Sequence, residues 1–154
     1  MRRQRSVAHP AFLSFVEPVA PRAGCNSVEP VELDRLIGAA ARANQVSARV
    51  VREVARQESG FQPCAKSPKG AQGLMQLMPA TQATLGVANP FDPAESLMAG
   101  ARLLKDLLGR YNGNLSLALS AYNAGPARVD AVHSIPAIRE TRNYVTSILS
   151  RLTK

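Results

Sequence analysis

Apolar residues recur at helical spacing between Ser47 and Ser59, and one carboxylate shares their stripe. At about 100° per residue, three arginines and Glu53 fall on the opposite face, whereas Glu58 points the same way as Val50, Val51, Val54 and Ala55. A carboxyl group against an apolar wall loses hydration, which raises its pKa toward the range useful to a general acid. Two alternatives to an acid role stay open: Glu58 lies at a fraying helix end, or it pairs with a buried arginine.

The chain after residue 28 reads as a string of helices without a convincing strand. Pro30 fits the first turn of one helix, and Asp92, Pro93 and Glu95 form the capped start of another. Gly125 and Pro126 end a helix that begins at Leu115. The predicted helices are residues 30–44, 47–59, 93–111, 115–123 and 138–152. This pattern predicts a mainly α domain over residues 29–154.

Length and composition fit one packed helical domain. The chain has 154 residues, of which 45% are hydrophobic and 5% aromatic. No stretch reaches the roughly 20 apolar residues that a membrane-spanning helix needs, so we predict no integral membrane segment. The formal net charge of +8 suits acidic polymers, anionic lipid or nucleic acid. Nucleic acid is not predicted, because the basic residues do not form one block and no aromatic platform accompanies them.

The first 28 residues differ from the rest of the chain. Prolines interrupt any helix there, and the apolar run AFLSFV is shorter than the about 7 to 15 residues of a secretory signal. Glu17 and Pro18 follow that run directly. We therefore predict a disordered tail over residues 1–28, with no clear signal peptide.

Four segments occur in the order QESGF, KSPKGAQGLMQLMPATQATLG, LALSAYNAGPARV and IRETRNYV. In this order they resemble the soluble-type lytic transglycosylases and, more distantly, the goose-type lysozymes. The resemblance covers residues 32–152 and implies a lysozyme-like helical fold. It also implies an enzyme that acts on peptidoglycan glycan strands in the cell envelope, periplasmic or extracellular, without a cofactor. We expect a monomer.

The resemblance implies that Glu58 is the catalytic residue. Glycosidic cleavage usually needs two carboxyl groups, but in this family one glutamic acid serves both steps. Protonated Glu58 would protonate the oxygen that links N-acetylmuramic acid (MurNAc) to N-acetylglucosamine (GlcNAc). The carboxylate would then take the proton of the MurNAc 6-hydroxyl, which closes a 1,6-anhydro ring without water.

Two loop segments supply the groove residues that the resemblance implies. Gln76 and Met78 would face the sugar, and Ser67 would lie close to Glu58. We expect Leu74, Met75 and Leu77 in the core, which is also the ordinary fate of methionine at such spacing. Tyr122 and Asn123 would supply an O–H group, an amide and a ring face. From spacing alone, Asn123 could instead only stop a helix.

Glu140 and Tyr144 complete the predicted site. The resemblance places Glu140 in the sugar groove as a binding residue and Tyr144 near the active-site wall. The alternative for Glu140 is a solvated charge in the first turn of the last helix, where acids are favoured.

Cys25 and Cys64 are the only cysteines. A disulfide between them would tie the segment before the first helix to the loop after Glu58, and would indicate an oxidising compartment. Two free thiols remain an alternative, as does lipid attachment at Cys25, although Arg22 stands where that signal needs leucine. His9 and His133 have no second ligand at useful spacing, so no metal site is predicted.

Two alternatives to the transglycosylase remain at the level of sequence. Water could intercept the intermediate, which would make the enzyme a hydrolytic muramidase. The chain could also be a non-catalytic peptidoglycan-binding module of a secretion or phage machine. Glu58 argues against that module, because binding alone does not need an acid on an apolar stripe.

Overall fold

The computed structural model describes residues 25–154, which form seven α-helices and two isolated β-bridges. The helices are α1 Pro30–Asn44, α2 Ala48–Ser59, α3 Pro79–Leu85, α4 Pro93–Arg110, α5 Leu115–Ala124, α6 Pro126–Val132 and α7 Arg139–Leu152. The mainly α prediction is confirmed. The predicted tail lies outside the described residues as far as residue 24. None of the helices in residues 25–154 is long and apolar enough to cross a membrane.

All five predicted helices are present, with bounds that differ by at most one residue. Ser47 caps α2 by accepting a hydrogen bond from the Val50 amide, and Asp92 caps α4 by accepting one from the Glu95 amide. The short helices α3 and α6 were not predicted. Each has seven residues and begins at a proline. A helix of two turns shows no clear apolar period, and a proline that ends one helix can equally start the next.

The core surrounds α2. Val51 and Val54 are fully buried, together with residues of α1, α4, α5 and α7. The large members are Ile37, Leu97, Leu104, Leu119 and Ile148. Leu74, Met75 and Leu77 are also buried, as predicted. The loop before α3 is therefore part of the core rather than a flap over it.

Glu53 lies on the arginine face of α2, opposite the apolar stripe, yet the structure buries it against α7. The Arg151 Nε donates a hydrogen bond to Glu53 Oε2 over 2.7 Å, and Arg56 lies 3.4 Å from the same oxygen. The helix α7 therefore covers the polar face of α2, and the ion pair between Glu53 and Arg151 joins the two helices.

The loop between α2 and α3 is pressed against α4. A Cβ at Gly100 would lie 2.5 Å from the Met75 side chain, so only glycine allows this approach. Gly73 has φ +84°, and a Cβ there would lie 2.0 Å from the Pro90 carbonyl oxygen. The Ser96 hydroxyl accepts a hydrogen bond from the Met75 amide. These contacts fix the loop on the helix.

The structure contains the Cys25–Cys64 disulfide, with 5.5 Å between the two Cα atoms. It links the segment before α1 to the start of the loop that follows α2. The adjacent Ala65 carbonyl accepts hydrogen bonds from the Gly73 amide and from the Gln76 side chain. The bridge therefore lies next to the hydrogen bonds that shape the loop.

Candidate active site

Glu58 lies near the C-terminal end of α2 and is 7% exposed. Its Oε1 accepts a hydrogen bond of 2.8 Å from the hydroxyl of Tyr144, which α7 supplies. None of the ion pairs within residues 25–154 includes Glu58. Neither alternative to the acid role therefore describes it, because the side chain is buried rather than frayed and the partly buried Arg151 pairs with Glu53 instead.

Burial raises the pKa of Glu58 to about 8. The hydrogen bond from Tyr144 lowers this pKa, because it stabilises the carboxylate, and the charge of Glu140 raises it. Burial is the largest of the three effects. At neutral pH the carboxyl group of Glu58 is therefore mainly protonated and can act as an acid.

Glu58 opens onto a cavity of about 260 Å³. Five of the eight predicted site residues line it: Glu58, Gln76, Met78, Tyr122 and Asn123. The other lining residues are Lys69, Thr81, Leu103, Leu107, Ala121, Ala124, Gly125 and Pro126. Glu58 is the sole carboxylate among these residues. Thus α2, the loop after it, α4 and α5 bring together groups that are far apart in the sequence.

The remaining three predicted residues do not line this cavity. Tyr144 reaches it through its hydrogen bond to Glu58. Glu140 is buried at the start of α7, where its charge acts on Glu58. The Ser67 hydroxyl accepts a hydrogen bond from the Ala71 amide and so stabilises a turn of the loop. A sugar-binding role for Ser67 and for Glu140 stays a prediction.

The Tyr122 hydroxyl donates a 2.7 Å hydrogen bond to the Met75 carbonyl oxygen. This bond joins α5 to the loop, so the O–H group that the sequence assigns to substrate is already in use. The ring still lines the cavity. Burial and the charge of Glu58 raise the pKa of Tyr122 well above its ordinary value, so the hydroxyl keeps its proton.

Asn123 does not end its helix, since α5 continues to Ala124 and Gly125 is the cap with φ +87°. Its Oδ1 accepts a hydrogen bond from the Thr141 hydroxyl over 2.9 Å. Its Nδ2 is buried and has no partner within the described residues, and the same holds for Oε1 of Glu140. Unpaired buried polar atoms are rare in folded proteins, so these two are candidates to bind polar groups of a ligand.

Gln76 has a left-handed backbone, with φ +49°, which is uncommon outside glycine. Its Nε2 donates to the carbonyl oxygens of Ala65 and Gly73 over 3.0 and 2.8 Å. The amide nitrogen is thus used to shape the loop, and the carbonyl end remains for a ligand. Strain of this kind collects at functional sites.

Sequence reasoning missed Lys69, which lines the cavity beside Glu58. Its segment contains two lysines, and no local pattern distinguishes Lys69 from Lys66. The difference arises only when the loop folds. The serine-proline pair before Lys69 indicates a tight turn, but a turn alone does not identify a residue that lines a cavity.

No group of three or more His, Cys, Asp or Glu side chains converges within residues 25–154 in a way that could hold a metal ion. His133 is exposed beyond the end of α6. The arrangement is that of a protonated acid in a cavity, with a tyrosine on one carboxyl oxygen and amides nearby. Such a site can protonate a leaving oxygen.

Residues 35–145 match the family model described as the transglycosylase SLT domain. The chain is 46% identical over 89 residues to the transglycosylase of Enterobacteria phage PRD1, covering 58% of this chain and 33% of that one. It is 32% identical over 144 residues to the soluble lytic murein transglycosylase of Salmonella typhimurium, covering 79% of this chain and 22% of that one. It therefore spans only a fraction of the length of these relatives.

A solved structure of a lytic transglycosylase has a similar fold. An inactive mutant of the lytic transglycosylase Slt from Pseudomonas aeruginosa is 32% identical and superimposes with a TM-score of 0.69. The match covers 79% of this chain and 23% of that chain. The fold implied by the four sequence segments is confirmed.

Proposed function

This chain belongs to the transglycosylase SLT domain family, and we propose that it cleaves the MurNAc–GlcNAc β-1,4 bond of peptidoglycan without water. The product strands would end in 1,6-anhydro-MurNAc. One observation carries the proposal: Glu58, whose pKa is about 8, is the sole carboxylate among the residues that line the cavity. A single acid suits a reaction in which one group first gives and then takes a proton.

In the first step Glu58 donates its proton to the glycosidic oxygen. The bond between that oxygen and the MurNAc anomeric carbon breaks, the GlcNAc-bearing strand leaves with the proton, and positive charge develops on the sugar. In the second step the Glu58 carboxylate takes the proton of the MurNAc 6-hydroxyl, and the 6-oxygen bonds to the anomeric carbon. Glu58 ends protonated, so it is ready for another cycle and no water is consumed.

Tyr144 would stabilise Glu58 between the two steps. Its hydroxyl donates to Oε1 and thereby leaves Oε2 to carry the transferred proton. The same hydrogen bond favours the carboxylate that forms after the first transfer. Tyr144 would therefore be a positioning residue, acting through Glu58 rather than on the sugar.

The amides would orient the substrate. Asn123 offers a buried N–H group without a partner among the described residues. Gln76 lines the same cavity, and its carbonyl end is the part that the loop hydrogen bonds do not use. An acetamido group has both an N–H donor and a carbonyl acceptor, so it can bind both. Met78 would cover the sugar face. Both proton transfers belong to Glu58, so the proposed reaction uses no cofactor.

The proposed substrate sets the place of action. Peptidoglycan lies in the cell envelope, so the protein would act in a periplasmic or extracellular compartment. The Cys25–Cys64 disulfide is consistent with an oxidising environment. We propose that it acts as a monomer, since one chain supplies every group that the two steps require.

The test is to incubate the protein with peptidoglycan sacculi and to determine the masses of the released muropeptides. The proposal predicts anhydro-muropeptides from the wild type and from Glu32→Gln, an exposed acid on α1, and none from Glu58→Gln. Hydrated products would instead identify a muramidase. Binding to sacculi without release would identify a non-catalytic module.

A further inference from the structure

Lys69 is a cation of the cavity that the two proton transfers do not use. It lines the same cavity as Glu58 and Gln76 and is half-buried. None of the ion pairs within residues 25–154 includes it. Its charge acts on Glu140, whose pKa it lowers against the larger effect of burial. Lys69 therefore lines the cavity and has no carboxylate within ion-pair distance among the described residues.

A tight turn fixes the backbone of Lys69. The Gly70 amide donates to the Ser67 carbonyl oxygen over 3.0 Å, which closes a turn with Pro68 and Lys69 at its centre. The Ala71 amide donates to the Ser67 hydroxyl over 3.0 Å. Pro68 restricts φ at the second turn position. The main chain at Lys69 is thus ordered before any ligand arrives.

Lys66, on the same loop, provides an internal comparison. It is exposed, and its ammonium nitrogen lies 5.4 Å from the centroid of the Phe91 ring. This cation–π contact gives the Lys66 charge a partner within the protein. Lys66 does not line the cavity. The two lysines therefore have the same chemistry and loop but different surroundings.

We propose that Lys69 binds a carboxylate on the 3-O side group of MurNAc, and so makes the protein prefer charged peptidoglycan strands over neutral polysaccharide. This inference rests on the proposed function. Two sources could supply that carboxylate. One is the peptide stem that the lactyl group carries, and the other is the lactyl group itself where the stem has been removed.

The chemistry favours a carboxylate over sugar hydroxyls. A lysine ammonium has three donors, and its hydrogen bonds to an anion are shorter and stronger than those to a neutral oxygen. Water is partly excluded from a half-buried site, so screening is weaker there than on an open surface. A neutral glycan would offer Lys69 no anion within hydrogen-bond distance.

The experiment compares kcat/KM for three preparations of glycan strands. The first carries native stems, the second carries stems whose carboxylates have been converted to neutral amides, and the third has been treated with an amidase that exposes the lactyl carboxylate. Each is cleaved by the wild type, Lys69→Met, Lys69→Arg and the matched control Lys66→Met. Anhydro-product is the readout.

For Lys69→Met we expect the ratio of kcat/KM between native and neutralised strands to fall about tenfold below that of the wild type. The change should lie mainly in KM and diminish at high salt. Lys69→Arg should keep most of the ratio, and Lys66→Met should keep all of it. If Lys69→Met lowers kcat/KM only on native strands, the stem carboxylate is the group that Lys69 binds. If it lowers kcat/KM on amidase-treated strands, the lactyl carboxylate is that group.

Two results would overturn the inference while leaving the proposed function intact. One is an unchanged ratio in Lys69→Met, and the other is an equal fall in Lys66→Met, which would indicate general surface charge. If the wild type forms no anhydro-product from any preparation, the proposed function fails and the inference fails with it. Cleavage of the neutralised strands by the wild type separates the two cases.

Discussion

Glu53 and Glu58 lie on the same helix, five residues apart, and are 9% and 7% exposed. Glu53 accepts a hydrogen bond from Arg151 and lies close to Arg56. Glu58 accepts one from the uncharged hydroxyl of Tyr144. Burial is nearly equal, so the partner decides the chemistry. Arginines pair with Glu53, whereas Glu58 has no cationic partner and keeps its proton up to a pKa of about 8.

The largest expected effect is on cleavage by Glu58→Gln. Glutamine has the shape of the acid but neither gives nor takes its proton, so we expect the rate of anhydro-muropeptide formation to fall by about 10³-fold or more. Circular dichroism and thermal unfolding serve as controls, because the fold should be kept. Substantial residual cleavage would mean that another group performs one of the transfers.

The second expected effect is a pH dependence of stability that Glu58 contributes. The pKa of Glu58 is raised on folding, from 4.5 to about 8, so the folded state holds a proton that the unfolded state has already lost between these values. The stabilisation is complete below pH 4.5 and is lost as pH rises through the folded pKa, at a slope of about 1.4 kcal/mol per pH unit. The variant Glu58→Gln should not show this loss of stability, because glutamine does not titrate.

The measurement is the free energy of unfolding by urea, for the wild type and Glu58→Gln, at several pH values in that window. We expect the wild type to become steadily less stable relative to the variant as pH rises. Parallel curves for the two proteins would indicate that Glu58 is ionised in the folded state throughout.

Glu53→Gln should disturb stability more than chemistry. It leaves Arg151, which is partly buried, without its carboxylate, and we expect a loss of about 2 kcal/mol in the free energy of unfolding. This figure is smaller than for a fully buried pair, because the Arg151 side chain is 27% exposed. At temperatures well below its melting point the variant should still form anhydro-product. Urea unfolding and a cleavage assay give the two readouts, and wild-type stability would contradict the anchoring role.

The smallest expected effect comes from Tyr144→Phe. Its hydroxyl lowers the pKa of Glu58, so removing it should raise that pKa above about 8. The alkaline limb of kcat/KM against pH, where Glu58 loses its proton, should move to higher pH. We also expect kcat to fall about tenfold, because the carboxylate formed after the first transfer loses a hydrogen bond. A pH profile identical to that of the wild type would show that the bond does not tune Glu58.

The same two glutamates show how far sequence reasoning reaches. The apolar stripe placed Glu58 correctly, because burial on one side of a helix follows from its period. That period cannot show that a second element covers the opposite face, so the burial of Glu53 by α7 was missed. The start of α4 was predictable because its cap is local. The helices α3 and α6 were not, because each has only seven residues.

Within the candidate site, the sequence likewise does not show which polar atoms remain available to a sugar. Residue types at Gln76, Tyr122 and Asn123 indicate polar groups that could contact a sugar. Their hydrogen bonds within the fold decide which atoms stay available. The Tyr122 hydroxyl is used by Met75, and the Gln76 amide nitrogen is used by Ala65 and Gly73. Such pairings join residues distant in the chain, and a linear pattern does not contain them.

The most direct test of the acid role of Glu58 is the titration of its carboxyl group by carbon NMR. The protein would be labelled at glutamate side-chain carboxyl carbons, and the Glu58 resonance would be assigned by its absence in Glu58→Gln. We predict a midpoint near pH 8. A midpoint near the ordinary value of 4.5 would mean that Glu58 is ionised at neutral pH and would contradict its role as the acid.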